Sequence, residues 1–504
     1  MHPIHRSQRR HGRPLHALAW AAACLLAGSA AATPSRHAWT DWFSSTGGVD
    51  GRMLLGGTSV GVRYDGPYHS AVLDATFPEW YFTTFSNGVI ANEPPPTDVI
   101  NLQGGPGRGS LSFSQTVINP VMSILSLGLS TQDGRYFPAE MVFAEGVRFE
   151  VLNSSNSPYG YGGPLTQNGQ TLRGMESAGS IRFLGAYDSI SWTTPLQERE
   201  FSTGPIGGSW HITVGAPCER IDIGGGPLRT AATVLAGCSA VNTAADWQQD
   251  AALTVAGRYT NAGQHTLAGD LVLNATASYV NTGTVVIGAG RTLKAEAQTY
   301  VDLGRTDVSG TLDLHSPNLQ LASLVRVLAG GRLLVTGPGT NMLGGDIQLG
   351  GAGATMRVLA PTALYGQVTV GDGSVFELGA GVPMAVTDGG RLTVASSNAI
   401  LSNNGRLTFL GGRLDVHAGN FLNNAQLSVE GGAPIYVDGG LLRNAAGARL
   451  QTQWQIALGG SGGQATLAND GELKLVGAQG QLSAFVNGSF VQGASGRLLA
   501  EDFQ

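Results

Sequence analysis

Between residues 401 and 440 the chain reads LSNNGRLTFLGGRLDVHAGN and then FLNNAQLSVEGGAPIYVDGG, two halves that repeat one pattern at a spacing of twenty. Superposed, they place Asn404 over Asn424, Leu407 over Leu427 and Phe409 over Val429. RYTNAGQHTLAGDLVL, SYVNTGTVVIGAGRTL and TYVDLGRTDVSGTLDL align in the same way, with Asn261, Asn281 and Asp302 in register at steps of 20 and 21. Asn444 and Asn469 continue the row at steps of 20 and 25 from Asn424. A repeat of this length is one supersecondary unit, which buries its apolar side only by stacking on its neighbours.

The apolar positions within each unit alternate by two, as in Leu407/Phe409, Leu427/Val429 and Leu473/Leu475. That is strand spacing, and no stretch carries apolar residues at 3.6 spacing long enough for a helix per repeat. A parallel β-helix follows, its coils ~4.8 Å apart, so about a dozen coils make a rod of roughly 60 Å. Right-handed coiling is expected from the crossover preference of parallel strands. Glycines are expected to turn the corners at positive φ. The recurring asparagines Asn261, Asn281, Asn404, Asn424, Asn444 and Asn469 read as a corner ladder, each amide donating to one coil and accepting from another. A row of calcium or sugar ligands is the alternative, but calcium prefers several carboxylates and this row is mainly amide.

Ahead of the repeats the grammar differs. Trp39, Trp42, Trp80, Trp192 and Trp210 lie in the first part of the chain, and only Trp247 and Trp454 lie beyond. Segments such as SVGVRYDG, SLSFSQTV, MSILSLGL, GSIRFLG and WHITVGA are short, alternating and bounded by turn residues. Eight or so such strands predict a β-sandwich of jelly-roll type. NEPPPTD is a loop, because proline has no N–H for a central ladder. The chain is therefore all-β: a signal segment over 1–32, a sandwich over 33–217, a connector over 218–240 and a β-helix over 241–504.

The first 32 residues carry a basic stretch (MHPIHRSQRRHGRPLH), an apolar stretch (ALAWAAACLLAG) and small residues (SAAAT), the three parts of a secretory signal. The apolar run is shorter than the ~20 residues of a membrane span, and no other segment is long and apolar enough to be one. Export gives meaning to Cys218 and Cys238, which read as one disulfide; two free buried thiols are the alternative. The chain is expected to be secreted or displayed on a bacterial surface. A net charge of -6 and no basic run outside the N-terminus argue against nucleic acid.

GSLSFSQTVINPVMSILSLG and GMESAGSIRFLGAYDSISWTTP resemble ectodomain segments of secreted bacterial proteins of the PEP-CTERM sorting class, over about residues 60–215. The repeats after them resemble the parallel β-helix regions of autotransporters and adhesins. The resemblance implies an exported bacterial protein and leaves the biochemical role open. The final residues, GRLLAEDFQ, lack that class's Pro-Glu-Pro, apolar tail and arginine cluster, so its sorting mechanism is not carried over.

Many β-helices degrade polysaccharides, and hydrolysis needs two carboxylates roughly 5–10 Å apart. Asp302 and Asp307, and Asp372 and Glu377, are close in sequence, but neither pair recurs on an adjacent coil. Asp415 and Asp438 read as solvated side chains, and His265, His315 and His417 as scattered surface residues. HExxH is absent, and GGSGG and GASG are not nucleophile elbows. GGPGRGS at 104–110 lacks the Lys-Ser/Thr of a phosphate loop. No catalytic residue, metal or cofactor is assigned.

Aromatic rings in loop-like contexts remain. Trp80 and Tyr81 in FPEWYF, and Tyr159 and Tyr161 in NSPYGYGG, are candidates for stacking on sugars; a place in the core is the alternative, and the one expected for Trp192. The expected role is structural or adhesive, a rod presenting a sandwich to extracellular polysaccharide or a cell-surface partner. A polysaccharide lyase or glycoside hydrolase acting along the rod is the first alternative. The passenger of a secretion system with a separate transporter is the second. Self-association is a further option, since an open β-helix end exposes strand edges; Glu501 and Asp502 near that end guard it, or the chain goes on.

Overall fold

The computed structural model describes residues 34–501, except 79, 81–84, 105, 131–135, 157–162, 196–208, 432–433 and 461–462. The described residues are almost entirely strands and turns, in two arrangements that share one continuous hydrophobic core.

The N-terminal arrangement is a β-sandwich. Its central strands are β1 (Asp98–Gln103), β2 (Gly107–Ile118), β3 (Val121–Leu127), β4 (Ala139–Phe143), β5 (Thr171–Gly174), β6 (Ser177–Phe183), β7 (Ala186–Thr194) and β8 (Ser209–Pro217). One antiparallel sheet runs β6-β3-β8-β1 and the other β5-β4-β7-β2. Successive strands change sheets at every step but β4 to β5, which is the strand order of a jelly roll. Tyr68–Leu73 and Phe149–Asn156 widen the first sheet. Asp41–Ser44, Val49–Leu55 and Thr58–Asp65 widen the second.

Alternation drives this packing. In Thr58–Asp65, Val60, Val62 and Tyr64 turn inward and are buried, while Ser59 and Asp65 are exposed. β3 departs from alternation and is buried at every residue. Its outer face is covered by the segment after Leu73, which builds a satellite core from Trp80 and Phe85 on Val99, Leu125 and Ala178.

The second arrangement is a three-sided parallel β-solenoid. Face A has 14 strands, from Ile221–Asp222 to Arg497–Glu501. Face B has 12, from Trp247–Gln249 to Leu482–Ala484, and face C has 13, from Ala232–Val234 to Gly488–Gln492. The chain visits A, B and C in turn, each strand pairing in parallel with its counterpart one coil on. Thirteen steps of ~4.8 Å make a stack of roughly 60 Å. Inward residues recur vertically: Tyr259, Tyr279 and Tyr300 are register partners, with ring centroids 5.4 and 5.0 Å apart.

The stretch 218–240, expected as a connector, is folded as the first coil: Ile221–Asp222 and Ala232–Val234 already pair with the next one. A Cys218–Cys238 disulfide closes it, with a Cα separation of 4.6 Å. The sandwich sits on this coil. Asn119, in the turn between β2 and β3, donates from Nδ2 to the Asp222 carbonyl at 2.5 Å, and the Arg220 amide donates to Ser35 Oγ at 3.1 Å.

Corner glycines divide into two kinds. A Cβ on Gly283 would lie 2.0 Å from the Gly263 carbonyl oxygen of the preceding coil, so glycine there permits close approach of coils, without positive φ. Gly290, in the turn from B to C, has φ +73° with open space around it, which is the left-handed role expected of all of them.

Candidate functional site

The recurring asparagines form two ladders, at different corners. The first climbs the A-to-B corner: Asn242 Nδ2 donates to Asn261 Oδ1, Asn261 to Asn281 and Asn281 to Asp302, each at 2.8 Å. The second climbs the C-to-A corner through Asn403, Asn423, Asn444 and Asn469, with links of 2.7 Å, and ends on Gln492 Oε1 at 3.1 Å. The second hydrogen of each donor amide goes to a backbone carbonyl one coil on, as from Asn261 to Thr284, Asn423 to Arg449 and Asn444 to Glu472. Several side-chain oxygens also accept the amide two residues ahead, as Asn281 does from Gly283 and Asn403 from Gly405. These amides are fully buried and use both hydrogens and the oxygen within the stack, which leaves nothing to coordinate a ligand.

This corrects the expected row. Asn261, Asn281, Asn444 and Asn469 are rungs, but Asn404 and Asn424 are not. Strand alternation turns Leu401 and Asn403 inward together and puts the second asparagine of each doublet outside. Asn424 Nδ2 instead donates to Asn404 Oδ1 at 2.9 Å in an exposed pair. The missed rungs are Asn242, Asn403, Asn423 and Gln492.

Asp302 closes the first ladder, because the next coil offers Leu321 at that register and no acceptor. A carboxylate only accepts, so it completes the row without an orphaned N–H. Thr306 Oγ1 donates to its second oxygen at 2.7 Å. Burial raises its pKa, opposed by the hydrogen bonds from Thr306, Asn281 and Gly304.

His265, expected at the surface, is fully buried inside the early coils. It stacks on Trp247 at 4.4 Å and lies 2.8 Å from Tyr259 Oη through Nδ1 and 2.9 Å from Gln249 Oε1 through Nε2. Gln249 donates its own hydrogens to the Ala251 and Asp270 carbonyls, so its oxygen accepts from His265 Nε2–H, and His265 Nδ1 accepts the hydrogen bond of the Tyr259 hydroxyl. Burial lowers the imidazole pKa to about 3. The ring is a neutral strut.

Several acids along the rod pair with basic side chains. Asp307 meets Arg305 at 2.7 Å and Arg326, one coil on, at 3.0 Å. Asp415, expected to be solvated, is fully buried between Arg391 and Arg413 at 2.5 and 2.6 Å, and Arg413 in turn lies 4.3 Å over the Tyr436 ring. Glu377 pairs with Arg357, Glu472 with Arg449, and Asp470 with Arg443. Asp438 is 3.6 Å from His417. Among the described residues, no three His, Cys, Asp or Glu side chains gather as a metal site.

In the sandwich, Trp80 is only 2 % exposed; its ring stacks on Phe85 at 4.5 Å and its Nε1–H donates to the Pro94 carbonyl. It therefore presents no face to a sugar. Tyr81, Tyr159 and Tyr161 lie outside the described residues. Trp192 packs in the core near Tyr64 and Phe143. An open groove of about 620 Å³ lies beside β2, β4 and β7, lined among others by Asp65, Arg108, Ser110, Val142, Ser191 and Thr193. Arg108 is exposed and has no ion pair among the described residues.

No protein-family profile matches the chain, and no curated protein matches it. One solved structure that aligns with it is the catalytic domain of a GH87 alpha-1,3-glucanase, D1069A, in complex with nigerose. It is 8 % identical, covers 79 % of this chain and 92 % of its own, and has a TM-score of 0.19, too low to carry an argument. Among the described residues, no helix is long and apolar enough to cross a membrane.

Proposed function

We propose that this chain is an exported structural or adhesive protein without catalytic activity, a solenoid rod that holds a jelly-roll domain toward extracellular polysaccharide or a cell-surface partner. One observation carries the reading: the polar side chains that recur in register along the rod bond to the next coil. The two amide ladders, the Arg305–Asp307–Arg326 cluster and the Arg391–Asp415–Arg413 cluster each tie neighbouring coils together. The carboxylates of these two clusters are each held by two arginines, so their oxygens are taken up within the wall of the rod.

The disulfide supports an oxidising destination, where such bonds persist. The sandwich offers the hydroxyl-lined groove beside β2 and β7, whose serines and threonine suit sugar hydroxyls and whose exposed Arg108 suits an acidic group. Retention of the full chain on immobilised neutral and acidic polysaccharides tests this. Retention on an acidic polysaccharide that falls for Arg108→Ala supports the groove. Equal retention of both proteins moves the contact elsewhere, and no retention on any polysaccharide leaves the scaffold without this ligand class.

A further inference from the structure

β7 turns Ile190 and Trp192 into the core, so Ser189, Ser191 and Thr193 stand on the outer face of their sheet. Its neighbour β2 buries Leu111 and Phe113 and turns Ser110 and Ser112 outward beside them. Ser189 lies opposite Ser112, Ser191 opposite Ser110 and Thr193 opposite Arg108. Among the described residues, the hydroxyls of Ser112, Ser189, Ser191 and Thr193 bond to no other group of the chain. Each keeps a donor and acceptors for a ligand.

The lining of the groove passes on from Ala144 and Ser191 to Glu145 and Ser189, which line a second open cleft of about 240 Å³. The Ala144 amide donates to the Ser191 carbonyl at 2.9 Å, so the two lining segments run side by side. The far wall of the cleft belongs to the first solenoid coil, through Pro227, Arg229 and Thr230.

Two cations meet in this cleft. Arg148 from the sandwich and Arg229 from the coil are exposed and form no ion pair among the described residues. The Arg148 amide donates to Tyr187 Oη at 3.1 Å, and Arg229 Nη1 lies 3.9 Å from where a Cβ on Gly146 would stand. Burial raises the Tyr187 pKa, and the charges of both arginines oppose the rise. Glu145 and Asp188 share the cleft but pair with neither arginine, which leaves both guanidiniums without a bonded counter-ion in the chain.

From Tyr187 to Thr193, β7 extends about 20 Å at ~3.3 Å per residue. No single small anion reaches from Arg108 to Arg148 and Arg229 over that distance, whereas a polymer with acid groups on successive units does. We propose that the cleft is a second acidic subsite that continues the groove and rests on its assignment to acidic sugars. An acidic polysaccharide lies along β7, with one acid group at Arg108, another between Arg148 and Arg229, and sugar hydroxyls on Ser189, Ser191 and Thr193. The ligand thus spans the sandwich and the first coil where they meet.

Calorimetric titration of the full chain with size-graded fragments of polygalacturonate and of dextran sulfate is the test. Wild type is expected to bind one or both, more tightly as the fragments lengthen. The double variant Arg148→Ala/Arg229→Ala is expected to bind long fragments roughly tenfold more weakly, to lose the gain with length and to keep its melting temperature. Arg108→Ala is expected to do the same from the other end. Arg291→Ala, an exposed arginine of the solenoid without an ion pair among the described residues, is expected to change nothing. Binding that falls for Arg108→Ala but not for the double variant overturns the second subsite and leaves the groove standing. Equal weakening by Arg291→Ala reduces the contact to general charge attraction and overturns the subsite as well. No binding of either polymer by wild type removes the acidic ligand of the groove and this subsite with it.

Discussion

The side-chain amide of Asn423 donates to the side-chain oxygen of Asn444, one coil on, at 2.7 Å, and both are fully buried. Asn403 donates to Asn423 in the same way, so Asn423 is a link with partners on both sides. Asn423→Ala orphans the Asn403 amide, the Asn444 oxygen and the Arg449 carbonyl together. Each buried orphan costs about 1–3 kcal/mol, so a loss of roughly 3 kcal/mol is expected. Asn424→Ala, one residue away in the exposed pair, is expected to cost under about 0.5 kcal/mol. Denaturant midpoints of the two variants check this, with faster hydrogen exchange around residues 403–444 for the first only.

The same asymmetry marks what was legible in the sequence. Alternation by two and the twenty-residue repeat are local properties, so the solenoid, the sandwich strands and the bonded cysteine pair could be read directly. Which asparagine of the doublets at 403–404 and 423–424 turns inward was also readable, from Leu401 and Phe421 two residues earlier, but superposing the two halves on Asn404 and Asn424 picked the wrong one. The transfer of the ladder from one corner to another was hidden, because between Asp302 and Asn403 the amide row is interrupted and coil length varies. Burial of Trp80 depends on a long segment folding over β3, and burial of Asp415 on arginines 24 and 2 residues away. These are tertiary facts with no local signature.

Protonation opposes the fold through histidine. Burial lowers His265 to about 3 and His37 and His211 to about 4, against an ordinary value of 6.5. A lowered folded pKa means that the unfolded chain binds the proton first as the solution is acidified. The stability contributed by these rings is complete above about pH 6.5 and is lost as the pH falls through the interval toward 4 and then 3. The melting temperature is expected to decline across this range. His265→Gln is expected to lower it at neutral pH and to make the decline shallower; a decline of unchanged slope would remove His265 as a cause.

The Cys218–Cys238 bond closes a separation of 20 residues at the junction of sandwich and solenoid. Loop-closure entropy for that length amounts to about 3 kcal/mol. Replacing both cysteines with serine is expected to destabilise the first coil by up to that amount. Thermal melts with and without reductant check it, since reductant should shift wild type toward the double variant and leave the variant unmoved.

Gly283→Ala and Gly290→Ala separate the two uses of glycine. The first drives a Cβ to 2.0 Å from the Gly263 carbonyl oxygen, a backbone atom that yields only by parting the coils. Overpacking of this kind costs about 1–3 kcal/mol. The second meets open space and carries only the left-handed strain of φ +73°, about 1 kcal/mol. Unfolding midpoints should rank the two in that order.

Polar residues that recur along the rod to hold coils together are expected to do no chemistry on a polysaccharide. Incubation of the full chain with a broad panel of neutral and acidic polysaccharides, followed by measurement of new reducing ends and of unsaturated sugar products, tests it most directly. Neither product is expected from any polysaccharide, with the wild type and the Asp307→Asn and Asp415→Asn variants indistinguishable. Sustained release of either product by wild type, abolished in one of those variants while the fold persists, would contradict it.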